Sequence, residues 1–184
     1  MEYQSTRNAA LRASSAEAIL NGLAPDGGLY SMRSFEGLSF DWKGCLQLST
    51  QQMAVKILSA LLTDFPEPEM EKLVRAAYTG KFETEDLTPT VSVGEDTILE
   101  LFRGPTSAFM DVALSMLPHL MTASREKCGV TDEICILTAT SGDTGKAAME
   151  GFCDVPGTKI IVFYPDGGVS AMQKRHRSAG AHEG

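Results

Sequence analysis

The sequence predicts an α/β protein, in which a helical N-terminal region is followed by the first part of a doubly wound, mostly parallel sheet. Three observations carry this. Between Ser14 and Gly80, apolar residues recur at helical spacing between start and stop signals. After the extended Leu87-Thr-Pro-Thr-Val91 connector, β-branched runs alternate with helical stretches. Last, Ile134 to Tyr164 reads strand, glycine-bearing turn, helix, strand within about thirty residues, which is a βαβ unit with a right-handed crossover expected. The connector sets the expected boundary, with an N-terminal region over 1–90 and a partial sheet domain over 91–184.

Tyr3 to Asn8 is a short polar opening. Ser14-Ser-Ala-Glu17 is a capping box, worth about 1 kcal/mol to the brief helix it starts, and Gly22 ends that helix. Pro25-Asp-Gly-Gly28 is a tight turn, because proline fixes φ at the first corner and glycine accepts positive φ afterwards. From Leu48 to Leu62 the residues Met53, Ala54, Ile57, Leu58, Leu61 and Leu62 form one amphipathic stripe. Pro66-Glu-Pro-Glu69 opens the next helix, with Met70, Leu73, Val74 and Ala77 inward and Gly80 closing it. These stripes read as core.

Thr97 to Phe102 reads as a strand, and Arg103-Gly-Pro-Thr106 as a turn, with Thr106 or Ser107 able to cap the helix after it. That helix, from Ala108 to Met121, is apolar on nearly every side and so expected buried, with Pro118 kinking or shortening it. Thr122 to Thr131 reads as a polar loop. Ile134 to Thr138 and Lys159 to Tyr164 are the two strands of the βαβ unit, with a helix from Lys146 to Cys153 between them.

Composition excludes several classes. A net charge of −8 with a single basic cluster, Lys174-Arg-His-Arg177, argues against a nucleic-acid surface. The four cysteines, Cys45, Cys128, Cys135 and Cys153, show neither C-x-x-C nor zinc spacing, so no metal is expected and reduced structural thiols are. No apolar run reaches the length of a membrane span, and the polar opening has no signal-peptide core. A soluble, cytoplasmic protein is expected.

The chemistry-bearing stretch is the turn Thr140-Ser141-Gly142-Asp143-Thr144-Gly145. It lies at the end of a strand and the start of a helix, where free N–H groups and the helix dipole favour an anion. Three hydroxyls within one short turn exceed what a simple connection requires. A Walker A loop would need Gly at Thr140 and a hydroxyl at Ala147. A Rossmann fingerprint also needs Gly at Thr140, although Asp166 stands at a suitable distance for a ribose-binding acid. Both near misses fail at the same residue.

Four blocks together point further: Tyr3-Gln-Ser-Thr-Arg7, Leu23-Ala-Pro-Asp-Gly-Gly-Leu-Tyr30, Leu101-Phe-Arg-Gly-Pro-Thr-Ser-Ala-Phe109 and Leu137-Thr-Ala-Thr-Ser-Gly-Asp-Thr-Gly145. In order and spacing they resemble the N-terminal portion of threonine synthase, a fold-type-II enzyme dependent on pyridoxal 5'-phosphate (PLP). The resemblance implies that residues 91–184 begin a tryptophan-synthase-β-like PLP domain. It also implies conversion of O-phospho-L-homoserine and water to L-threonine and phosphate, by a monomer or homodimer. By the same resemblance Thr140, Ser141, Gly142, Asp143, Thr144 and Gly145 bind substrate and cofactor. Two readings stand for Asp143: it orients neighbouring donors, or it caps the helix.

The departures matter as much. Relatives read G-P-T-x-A-F-K-D, and that lysine attaches PLP, whereas this chain has Gly104-Pro-Thr-Ser-Ala-Phe-Met110-Asp111. Methionine has no amine, so Met110 offers neither covalent attachment nor proton transfer, and impaired activity is expected. Asn8 replaces the glycine usual after Ser-Thr-Arg. The family's loop for the PLP phosphate lies downstream of position 184. The ending from Arg175 to Gly184 is almost without apolar residues and reads as a disordered tail. A non-catalytic module binding a small phosphorylated ligand is the alternative.

Overall fold

The computed structural model describes residues 2–165 except Phe35, Gly37, Ser39 and Ser141. Asp166, the basic cluster Lys174–Arg177 and the stretch read as a tail lie outside the described residues, as does Ser141. The chain divides into two compact units, Met1–Ala76 with His119–Thr131, and Ala77–Pro118 with Asp132–Gly184.

The first unit opens with β1 (Tyr3–Ser5), β2 (Arg12–Ala13) and α1 (Ser15–Asn21). Ser14 caps α1 through a complete capping box with Glu17, and Gly22 ends it at φ 67°, as the sequence dictates. Then come β3 (Tyr30–Met32), the single turn α2 (Trp42–Cys45), α3 (Thr50–Leu61) and α4 (Glu67–Tyr78). Ser49 forms a second capping box with Gln52 at the start of α3.

The polar opening is more ordered than expected. β1 is the centre of a three-stranded antiparallel sheet in the order β2-β1-β3, pairing Tyr3 with Ala13 and Gln4 with Ser31. Side chains complete it. The Ser5 hydroxyl donates to Asp26 at 2.8 Å, the Arg7 guanidinium to the Asp26 carbonyl at 3.0 Å, and the Leu29 N–H to the Thr6 hydroxyl at 3.0 Å. Gly28 allows this: a Cβ there would run into the Ser5 hydroxyl. Phe65, Met70 and Val74 are fully buried in this unit; of the inward face expected for α4, Met70, Val74 and Ala77 are buried and Leu73 is half-buried.

In the second unit, β4 (Thr90–Val93) and β5 (Asp96–Leu99) form an antiparallel hairpin. The strand expected over Thr97–Phe102 therefore does not join the parallel sheet. Gly94, at φ 64°, lets the chain double back, and both strands are exposed along their length. The helix expected to stop at Met121 runs on as α5 (Asp111–Lys127), absorbing most of the expected polar loop. Pro118 is buried inside it without ending it. The division between the units falls at Pro118 and His119.

The βαβ unit forms, but its helix starts at Asp143, three residues earlier than expected and inside the Thr140–Gly145 turn. β6 (Ile134–Ala139) and β7 (Thr158–Phe163) pair in parallel from Ile134–Thr158 to Ala139–Phe163, with α6 (Asp143–Phe152) between them in sequence. Ala147, Ala148 and Phe152 are the buried residues of α6 beside Gly145. Gly151 lets α6 approach α5 closely, since a Cβ there would collide with the Leu114 carbonyl oxygen. No helix among the described residues is long and apolar enough to cross a membrane.

Candidate functional site

The turn between β6 and α6 is built from the strand end outward. The Thr140 N–H donates to the Phe163 carbonyl at 2.9 Å, which carries the parallel ladder one residue past β6. The Thr140 hydroxyl then accepts from the Gly142 N–H at 3.2 Å and folds the chain into the helix. Gly142 is the N-cap, extended at φ −128° and ψ −153°, and no side chain caps the helix from there. The first-turn N–H groups thus stand at the positive end of a ten-residue helix, and the N-cap residue itself offers them no side-chain acceptor.

Asp143 and Thr144 come next as the first helical residues, Asp143 exposed and Thr144 half-buried. Gly145 is buried, and a Cβ there would lie 2.6 Å from Thr140 Cγ2 and 3.1 Å from Val162 Cγ1. The turn must therefore be glycine at this point for the helix to start so close to the strands. Space remains at Gly142, where an added Cβ meets nothing within 4 Å.

A second loop of the same unit runs from Gly104 to Asp111. The capping expected from Thr106 or Ser107 is reversed. Asp111, 2% exposed, accepts from the Thr106 N–H at 2.8 Å and from the Thr106 hydroxyl at 2.6 Å. The reason is order along the chain: the acid sits inside the helix and reaches back over the turn. Gly104 leaves the room, since a Cβ there would collide with the Asp111 side chain. Ser107 adopts φ 59°, an unusual value for a residue with a side chain. Met110 closes the loop, half-buried, its carbonyl accepting the first bonds of α5 from Ala113 at 3.1 Å and Leu114 at 2.9 Å. The site's second loop is thus organised by Asp111, which sequence reasoning left without a role; the signal was an acid five residues after Gly-Pro-Thr.

The two loops meet through Lys146, whose ammonium lies 3.5 Å from the Thr106 carbonyl oxygen. The turn suits an oxyanion, given its uncapped helix start, its hydroxyls and its close-packed glycine. Position 110 does not suit a covalent cofactor link, because a thioether cannot condense with an aldehyde.

Comparisons with known proteins agree in direction. Residues 2–78 match the sequence family described as "Threonine synthase N terminus". Threonine synthase of Eremothecium gossypii is 35% identical over 188 residues, spanning 94% of this chain and 36% of the relative. Among solved structures, PLP-bound threonine synthase from Brucella melitensis superposes with a TM-score of 0.84 at 36% identity, over 96% of this chain and 38% of that one. Threonine synthase from Escherichia coli gives 0.81 at 30% identity, over 96% and 40%. The chain thus spans about two fifths of the length of these relatives.

Proposed function

We propose, for a chain that matches the N-terminal portion of threonine synthases in sequence and in fold, that it carries the anion-binding part of a site of that kind. The reaction concerned is conversion of O-phospho-L-homoserine and water to L-threonine and phosphate, a PLP-dependent carbon–oxygen lyase chemistry. The observation that carries this reading is the uncapped start of α6, a ready seat for an anionic group of substrate or cofactor.

In this reading the N–H groups of Asp143, Thr144 and Gly145 face the anion, and the Thr144 hydroxyl adds a donor. Thr140 holds Gly142 so that the turn keeps its shape. Ser141 is assigned to the same turn on the resemblance. Asp143 favours the helix start through the dipole while repelling the anion, so its share in binding is to hold the turn. PLP, when bound, acts as an electron sink at the amino-acid carbon. Removing and returning protons there needs a base with an amine's reach, and Met110 has none. Turnover by this chain is therefore impaired at the step in which relatives use their lysine, while binding at the turn is retained.

The test uses the protein with PLP and borohydride, beside the Met110→Lys variant, followed by peptide mass mapping. A visible absorbance band that the wild type lacks is expected in the variant before reduction, and cofactor fixed to the 104–114 region in the variant alone after it. Equal labelling of both proteins, or none of the variant, would count against the assignment of position 110.

A further inference from the structure

We propose that Lys146 is a further binding residue of the anion seat at the start of α6, its ammonium supplying a full positive charge that backbone donors cannot. This rests on the turn being an anion site. Lys146 is the fourth residue of α6, which begins at Asp143. Long side chains on a helix lean toward its N-terminus. From this position the arm runs back over the first turn, where the N–H groups of Asp143, Thr144 and Gly145 lie. The contact it makes agrees, since its ammonium lies 3.5 Å from the Thr106 carbonyl oxygen in the Gly104–Asp111 loop.

That contact places the charge without cancelling it. At 3.5 Å it is long for an ammonium and a carbonyl, and a carbonyl is a dipole, not an ion. The Thr106 end is itself fixed, because its N–H and its hydroxyl both go to Asp111. Asp143 is the opposing charge of the turn, but it is exposed while Lys146 is half-buried. Water and salt screen the carboxylate more than the ammonium. The field on the sheltered side of the turn is therefore positive, and a carboxylate or phosphate oxygen there gains a charge-assisted bond. The same ammonium touches the loop that carries Met110, so an anion it holds lies between that loop and the α6 turn.

The experiment titrates the full chain and its Lys146→Gln and Lys146→Arg variants with O-phospho-L-homoserine by calorimetry. Glutamine keeps a donor and removes the charge, whereas arginine keeps the charge. Binding about tenfold weaker is expected for Lys146→Gln, and binding within about threefold of the wild type for Lys146→Arg. Affinity of the wild type should also fall more steeply with salt than that of Lys146→Gln. Titrations with L-homoserine and with inorganic phosphate separate the two sources of the anion: the one bearing the group that meets Lys146 loses affinity in Lys146→Gln.

Circular dichroism confirms that each variant is folded. Reductive methylation of the wild type reads the same amine without a substitution: O-phospho-L-homoserine should slow labelling of Lys146 and leave Lys159, at the far end of the paired strands, unaffected. Suppose the wild type binds. Then equal binding by Lys146→Gln, a loss in Lys146→Arg as large as that in Lys146→Gln, or undiminished methylation of Lys146 would each overturn the assignment of Lys146 and leave the anion seat standing. Absence of binding by the wild type would remove the seat itself, and this assignment with it.

Discussion

The carboxylate of Asp111 accepts both hydrogen bonds that Thr106 can give, from its backbone N–H at 2.8 Å and from its hydroxyl at 2.6 Å. Both residues are buried, so the pair fixes the Gly104–Asp111 loop at its two ends. Met110 is held directly beside the acid that closes the loop. These two bonds hold the loop without using the Met110 side chain.

Replacing Thr106 by Val removes the hydroxyl and leaves a buried carboxylate oxygen short of a partner. A loss of about 2–3 kcal/mol in denaturant unfolding is expected. Met110→Lys, in contrast, is expected to change stability little, because the half-buried methionine contributes its carbonyl and not its side chain to the start of α5. If Thr106→Val unfolds like the wild type, the pair does not organise the loop.

Gly151 makes a similar demand on packing. An alanine methyl there would meet the Leu114 carbonyl oxygen, and neither helix can yield without shifting backbone. Gly151→Ala should cost about 1–3 kcal/mol in thermal or chemical unfolding, despite alanine's better helix propensity. A stabilised variant would show that the helices are further apart.

These two positions mark how much could be read in advance. Helices with strong local signals were legible: the Ser14 box, the Gly22 stop and the buried Met70, Val74 and Ala77 need only capping chemistry and periodicity. The βαβ unit was legible for the same reason. The β1 sheet was not, because strands of two or three residues carry no periodicity and are held by Ser5, Thr6 and Asp26 through bonds that span 21 and 23 residues of sequence. The turn before α6 showed its donors in the sequence, but the absence of a cap at Gly142 and the crowding at Gly145 are visible only in three dimensions. The β4–β5 hairpin was misplaced because an exposed strand and a buried one share the same short apolar run.

Tyr78 gives a pH test. Burial pushes its phenol from 10.0 up to about 12, and its hydroxyl donates to the Val112 carbonyl at 2.9 Å. The folded state thus holds its proton more tightly than the unfolded chain does. That stabilisation is complete below pH 10 and is lost as pH rises toward 12. Tyr78→Phe should lower stability at neutral pH by about 1 kcal/mol and show a flatter decline in alkali. Parallel alkaline profiles would remove the assignment.

Asp26 gives the opposite sign. Hydrogen bonds from the Gly28 N–H and then the Ser5 hydroxyl hold its carboxyl below the usual value of 3.8. Its contribution is present above that value and disappears as pH falls through the lowered one. Asp26→Asn should be less stable than the wild type at neutral pH, with the gap closing in acid. A gap that persists at low pH would mean that the carboxylate charge is not what joins the first strand to the Pro25–Gly28 turn.

The most direct test of the anion seat at α6 is the Gly142→Asp variant titrated with O-phospho-L-homoserine by calorimetry. The backbone at Gly142 is extended and an added Cβ has open space, so aspartate fits and can cap the helix with its own carboxylate. It would also place a negative charge where the ligand's anion is expected. The predicted result is a melting temperature equal to or slightly above that of the wild type, with ligand binding seen for the wild type at millimolar concentration and abolished in the variant. Equal binding by both proteins, or none by the wild type, would contradict the assignment of this turn.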